Sequence, residues 1–240
     1  MNLIDYYSYI LYNTKLRYTY SLRIILKLLF TYQLMNYSTI PEAIEEIKKG
    51  NFLLIVDEPD RENQGDLFLP AIHIDNKKLN FFEDVGRGII TVPISTEIAE
   101  RLEITPMVKP SDNSEQTRVC FAVSVDSTSV KNFGAPNSDR ITTLKALCSE
   151  ETKSSDFVRP GHIFPLISRK GKLADRHGHT EATVTLCELA GLPQVAVITE
   201  QLTQEGEIAH EQELFQIAEK YNIKIITVVD LIAYVNSLKK

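Results

Sequence analysis

The chain has 240 residues, 43% of them hydrophobic and 24% charged, which supports a sizeable core and argues against a disordered protein. A net charge of −6 argues against a nucleic-acid binder that works through bulk electrostatics. The cysteines Cys120, Cys148 and Cys187 are odd in number and widely spaced. They read as core thiols of a reducing compartment, the cytoplasm, rather than as a disulfide framework.

Residues 1–34 stand apart. They hold seven of the ten tyrosines and four bases against one acid, which leaves −9 for the remainder. The apolar run 22–30 is interrupted by Arg23 and Lys27. It falls short of the ~20 apolar residues of a membrane-spanning helix, and no small-residue cleavage site follows it. An amphipathic surface helix, an organelle-type presequence and an upstream extension all remain open. The expectation taken forward is an atypical extension over residues 1–34 and a single domain over residues 35–240, with no membrane association.

From Ser38 the pattern is regular. Ser38 or Thr39 can cap a helix with Pro41 in its first turn and Ala43, Ile44 and Ile47 on one face. Gly50 ends it, and the apolar run 52–56 predicts a strand. Five carboxylates then crowd positions 57–66 (Asp57, Glu58, Asp60, Glu62 and Asp66), with Arg61 the one cation among them. Like charges this close repel unless a cation, protons or water relieve them. A solvated surface loop and a divalent-metal loop are both compatible with that stretch. Strands are expected over 67–72, 89–94 and 119–125, with Thr96 capping a short helix 97–102 between the last two. A helix follows over 140–148. Gly178-His179-Thr180 opens a helix with Ala182, Leu186, Leu189 and Ala190 on one face, and Gly191 stops it. The strand 195–199 carries Glu200 at its end. A helix 212–221, a strand 223–228 and a helix 229–238 complete an α+β domain, with a mixed sheet flanked by helices.

Chemistry concentrates in a second stretch, 175–182. Arg176 just before a helix start, Gly178 permitting close backbone approach and Thr180 offering a hydroxyl make a plausible phosphate cradle, whose anion the helix dipole also favours. An ordinary helix start with an exposed arginine fits the same letters. His179 suits a metal ligand or a proton shuttle as well as a structural role. His162, between Gly161 and an apolar run, reads equally as a core histidine. Glu200 at a strand end is a common place for a catalytic carboxylate and for a surface one.

Together these pieces resemble the 3,4-dihydroxy-2-butanone 4-phosphate synthase family of riboflavin biosynthesis. D-R-E-N-x-G-D (60–66), R-P-G-H-x-F-P-L (159–166), R-x-G-H-T-E-A (176–182) and a closing stretch 218–234 stand in that family's order, so the resemblance covers about residues 41–234. It implies a mixed α/β sandwich and conversion of D-ribulose 5-phosphate to 3,4-dihydroxy-2-butanone 4-phosphate and formate. Mg2+ or Mn2+ is implied, with no organic cofactor. Glu62 and His179 would hold the metal. Arg61, Glu62, Asp66, Arg176, His177, Gly178, His179, Thr180 and Glu200 would bind the sugar phosphate, with Arg176 and Thr180 on the phosphate. His162 and Glu200 fall at positions essential to turnover. A homodimer with sites near the subunit interface is also implied. The cyclohydrolase that some members carry is not expected in this chain.

The chain departs from the family pattern at Pro59 and Gln64, where further glutamates are common, and at Thr91, where a cysteine is common. It also departs at Ala122 and over 132–136, where hydroxyl-bearing residues are usual. These changes leave room for a homologue that binds metal and a sugar phosphate without turning it over. A third reading, a zinc hydrolase built on His162, His177 and His179, requires the 177–179 segment to be extended.

Overall fold

The computed structural model describes residues 37–58 and 61–238. The expected extension 1–34 lies outside the described residues, as do Pro59 and Asp60 of the acidic loop. The described part forms a single contact unit beginning at Tyr37.

Helix α1 (Ile40–Lys48) begins as its sequence dictates. Thr39 caps it, Glu42 reaches back to the Thr39 N–H to complete a capping box, and Pro41 sits in the first turn, where its missing N–H loses nothing. β1 (Leu53–Val56) and β2 (Gly65–Pro70) pair antiparallel around the acidic loop. A helix that the sequence reading missed, α2 (Asn76–Phe81), is capped by Asp75 and runs into a π-helical turn, Phe82–Gly86. β3 (Val92–Ile94) and α3 (Thr96–Arg101) follow, and the cap of α3 is Ser95 rather than Thr96. The expected strand 119–125 is not continuous. Only single bridges form at Phe121 and Ala122, and the regular strand is the later β4 (Val125–Ser127). α4 (Asn137–Cys148) precedes β5 (Phe157–Ile163) and β6 (Pro165–Ile167). The chain closes with α5 (His179–Leu189), β7 (Ala196–Glu200), α6 (Glu211–Tyr221), β8 (Lys224–Thr227) and α7 (Val228–Ser237).

The main sheet has the order β7-β2-β1-β8, with only the β1–β8 pair parallel. Its side chains alternate between two cores. Leu54, Val56, Leu67, Leu69, Val197 and Ile225 face one, closed by Leu144 and Leu147 of α4 and by Leu214 and Ala218 of α6. Leu53, Ile55, Phe68, Ala196, Ile198 and Ile226 face the other, closed by α1, α5 and α7 through Ile44, Ile47, Ala182, Leu186 and Leu231. A sheet buried on both faces favours apolar residues at successive positions, hence the unbroken run of β1 and the Ala196-Val197-Ile198 run of β7. The architecture is the mixed α+β sandwich expected, with helices on both faces of the sheet. The ladders β3–β6 and β4–β5 extend it beyond β7, to which β3 is tied through Thr91–Ile198 and Ile94–Val195 bridges.

Candidate metal and sugar-phosphate site

The site forms where three element ends meet: the β1–β2 loop, the tip of β7 and the start of α5. Asp57, the first residue past β1, is buried and organises the loop. Its Oδ1 accepts from Gln64 N–H at 2.8 Å, while Oδ2 accepts from the Arg61 guanidinium at 2.6 Å and from Glu62 N–H at 3.3 Å. Arg61 also pairs with Glu62 at 2.8 Å. Burial opposes the charge on Arg61, but Glu62 and Asp57 outweigh it and hold its pKa above the ordinary value. The loop that looked like five repelling acids is therefore wound around its own cation.

On β2 and β7, antiparallel pairing sets Asp66 opposite Glu200 on the face turned toward α5. Asp66 is 4% exposed, and its Oδ2 lies 3.7 Å from His179 Nδ1. Burial pushes its pKa up to about 7; His179 pulls it down, while Glu200, Glu62 and Asp57 push it up further. Glu62 Oε2 approaches the same His179 nitrogen at 3.9 Å. Gly88 packs closely against Glu200: a Cβ there would stand 2.7 Å from its carboxylate Oε2 and 2.7 Å from its backbone oxygen, so only glycine fits.

α5 starts at Gly178, which offers no side-chain cap, leaving the first-turn N–H groups for another acceptor. Two arginines converge above it. A Cβ on Gly178 would stand 2.0 Å from Arg176 Nη1 and 3.0 Å from Arg61 Nη2. Two guanidinium groups over the positive end of an 11-residue helix make an anion cradle. Thr180 is buried beside it and lines the cleft.

The cleft enclosed by these groups measures about 220 Å³. Arg61, Glu62, Asp66, Arg176, His179, Thr180 and Glu200, all picked out in the sequence, line it. So do Gln64 and Thr91, two of the departures from the family pattern. Two residues fall elsewhere. The exposed His177 is not part of the lining. His162 lies on β5, outside the lining, its side chain 47% exposed and its Nδ1 2.6 Å from Asp126 Oδ2. Asp126 is 3% exposed and also accepts the His162 backbone N–H at 2.9 Å, so it fixes the ring by two contacts. His177 and His179 therefore do not share a surface, and the three-histidine zinc arrangement does not form.

Glu115 and Thr117, from a loop with no periodic signal, and Val119, at the start of the expected strand 119–125, close the cleft on the far side. Sequence reasoning missed them. It also missed Asp57 as the loop's organiser, although that residue had been counted among the acids.

Asp57, Glu62 and His179 each offer a ligand atom, all within 4.8 Å of one another. Both Asp57 oxygens are engaged within the loop, whereas Glu62 commits one oxygen to Arg61 and keeps the other turned toward His179. Among the described residues, His179 Nε2 and Asp66 Oδ1 are buried without a hydrogen-bond partner, which is costly for a site meant to stay empty of polar ligands. One imidazole among carboxylates, with room for water or substrate oxygens, fits a hard divalent cation and is too sparse for structural zinc. No thiol lines the cleft; Cys148 and Cys187 are core residues, burial pushing Cys148 up to about 12 and Cys187 upward as well, whereas Cys120, expected in the core, is only partly buried.

The 3,4-dihydroxy-2-butanone 4-phosphate synthase family profile matches residues 41–234. The 3,4-dihydroxy-2-butanone 4-phosphate synthase of Helicobacter hepaticus is 41% identical, over 83% of this chain and 56% of its own length. The riboflavin biosynthesis protein RibBA of Aquifex aeolicus is 40% identical, over 83% of this chain and 49% of its own. The chain thus spans about half the length of these curated relatives. A crystal structure of 3,4-dihydroxy-2-butanone 4-phosphate synthase in complex with two magnesium ions superposes with a TM-score of 0.79 at 32% identity, covering 85% of this chain and 99% of that one. The enzyme of Candida albicans gives a TM-score of 0.75 at 36% identity, covering 83% and 98% respectively. The geometry of the cleft and the match along nearly all of the described chain place this protein in the 3,4-dihydroxy-2-butanone 4-phosphate synthase family.

Proposed function

We propose that this chain is a Mg2+- or Mn2+-dependent lyase that converts D-ribulose 5-phosphate to 3,4-dihydroxy-2-butanone 4-phosphate and formate. The observation that carries this reading is the convergence of Arg61 and Arg176 over Gly178, beside Glu62, Asp66, His179 and Glu200. The cleft is lined by Glu62, Asp66, Glu115 and Glu200 against two arginines, so a phosphate dianion enters it favourably only alongside a cation. Glu62 and His179 would hold the metal, which polarises the substrate carbonyl and eases loss of the neighbouring proton.

The chain's own groups do the rest. Arg61, Arg176, Thr180 and the N–H groups of the first turn of α5 bind the phosphate and so set the position of the sugar carbons. Asp66, poised near neutrality, can hold or release a proton at its carboxylate. Glu200, facing it across the strand pair, offers a second carboxylate for proton transfer. Phe121, Leu166 and Ile198 form the apolar wall that limits water. The domain over residues 35–240 carries this site, and three free cysteines suit a reducing, cytoplasmic setting. Among the described residues no helix is long and apolar enough to cross a membrane.

Purified protein given ribulose 5-phosphate and Mg2+ is expected to release formate stoichiometrically, and EDTA to stop it. Substrate binding without formate would leave a sugar-phosphate-binding homologue instead, its chemistry lost through Gln64, Thr91 or the 132–136 segment.

The active form is a homodimer. His162 does not line its own chain's cleft, and Val158 and Phe164 near it in the chain, with Phe133 beside the Gly134 that packs on its ring, are also exposed. Phe121 is 37% exposed, lines the cleft edge, and adjoins the exposed Met107, whose N–H it accepts at 2.8 Å. A second copy seated there would cover these apolar groups and bring His162 toward the neighbouring cleft. Light scattering is expected to give twice the chain mass. Mixing His162→Ala with Glu62→Ala should recover part of the activity that each lacks alone, and no recovery would confine each site to one chain.

A further inference from the structure

Arg176 does not lie loose in the cleft. Its Nε donates to the Thr117 carbonyl at 2.8 Å and its Nη2 to Thr117 Oγ1 at 2.9 Å. On the opposite edge, Nη1 donates to Glu181 Oε2 at 2.7 Å. A guanidinium has five N–H groups. These contacts engage three and leave one on Nη1 and one on Nη2, enough for two oxygens of one phosphate.

Glu181 is 1% exposed, and both its oxygens are used, since Oε1 accepts Arg169 N–H at 3.1 Å. A carboxylate this deep is retained at a considerable desolvation cost, yet nothing places it in contact with substrate or metal. From the first turn of α5 it reaches back to the Arg176 guanidinium and to the Arg169 backbone N–H, on either side of the turn Lys172–Ala174. Thr117 comes from the loop across the cleft, and its carbonyl and hydroxyl take the opposite edge of the same guanidinium.

We propose that Glu181 and Thr117 form a clamp that positions the Arg176 guanidinium for the substrate's phosphate, with Glu181 the dominant jaw. This rests on the assignment of Arg176 to the phosphate made above. The ion pair is nearly dry, with side chains 12% and 2% exposed, so it is weakly screened and directional. In Glu181→Gln the amide can still accept from Arg169 but can turn its NH2 toward Arg176, which disfavours the observed orientation. Arg176 then has to find its orientation during binding, and the affinity for phosphate falls.

The test uses inorganic phosphate as the probe, titrated calorimetrically into the full-length protein and its variants, alongside steady-state kinetics with ribulose 5-phosphate. Glu181→Gln is expected to weaken phosphate binding and raise KM by about tenfold while kcat changes less than about threefold, because the reacting carbons lie at the other end of the substrate. A general structural defect would instead lower kcat and melting temperature with KM unmoved. That result, or phosphate affinity equal to wild type, overturns the clamp. Thr117→Val removes the hydroxyl contact from the exposed side of the clamp and carries the test if Glu181→Gln does not fold. A weakening of about threefold supports the proposal, and unchanged affinity overturns it. Phosphate binding by wild type without formate production would sink only the reaction assigned above. No phosphate binding by wild type would sink both.

Discussion

Alanine at Glu62 or at His179 is expected to abolish metal-dependent formate release while leaving the fold intact. Each residue supplies a donor to the cation that polarises the substrate, an effect worth several kcal/mol in the transition state, so a fall on the order of 100-fold to 1000-fold or more should follow. The two variants should differ in a second respect. Glu62 pairs with a partly exposed Arg61 and sits in a loop, so its loss should shift stability by only ~1 kcal/mol or less. His179 is 6% exposed and lies among the acids of the cleft, so its removal releases Asp66 and Glu62 from their one imidazole neighbour. Formate assays across a Mg2+ titration, with melting curves on the same samples, separate these effects. Near-normal turnover in either variant at saturating Mg2+ would show that the cation is held elsewhere.

Asp66→Asn should stabilise the metal-free protein at alkaline pH and leave it nearly unchanged in acid. The carboxyl has an ordinary value of 3.8 in the unfolded chain and about 7 in the folded one. The folded state therefore binds a proton that the unfolded state gives up between those values. Stability from this group is fully present below pH 3.8, declines as pH rises, and is gone above pH 7. The displacement corresponds to an upper figure of roughly 4 kcal/mol, so ~2–4 kcal/mol is the expected gain for asparagine at pH 8. Because asparagine mimics the neutral acid, the difference in melting temperature between variant and wild type, measured in EDTA, should widen from pH 5 to about pH 7 and level off above it. A difference that stayed flat, or a variant less stable at pH 8, would show that Asp66 is ionised without penalty. Added Mg2+ should narrow the gap by stabilising the wild-type carboxylate, at the same time as it switches on activity.

The site was legible where chemistry sits on short contiguous stretches at element ends. Arg61 and Glu62 come from one loop and Asp66 from the start of the strand that follows it, and Arg176, Gly178, His179 and Thr180 from one helix start, so spacing along the chain already set their neighbours. Glu115 and Thr117 were invisible because an irregular loop has no period, and its place across the cleft depends on Arg176 reaching over to it. Asp57 was misread as one acid among five, since charge counting cannot show that its two oxygens accept three N–H groups. In the fold, apolar runs marked β1 and β7 reliably, while α2 was lost because two lysines and two asparagines mask its contribution of Leu79 and Phe81 to the core. The run 119–125 has strand-like composition, but Phe121 and Ala122 make only isolated bridges, to Leu166 and Pro106, and regular pairing starts at Val125.

The pairing of Asp66 with Glu200 has a kinetic corollary. β2 and β7 are distant in sequence, and each alternates strictly between the two cores. A slip of one residue during folding would turn Thr199 toward the cleft in place of Glu200 and exchange the strand's apolar faces. Such a trapped species could be compact and well supplied with secondary structure, yet it could not process substrate. Catalytic competence on dilution from denaturant therefore reports correct strand registration, whereas far-ultraviolet signals report only that strands and helices exist. A lag of the first behind the second would time the search for that alignment.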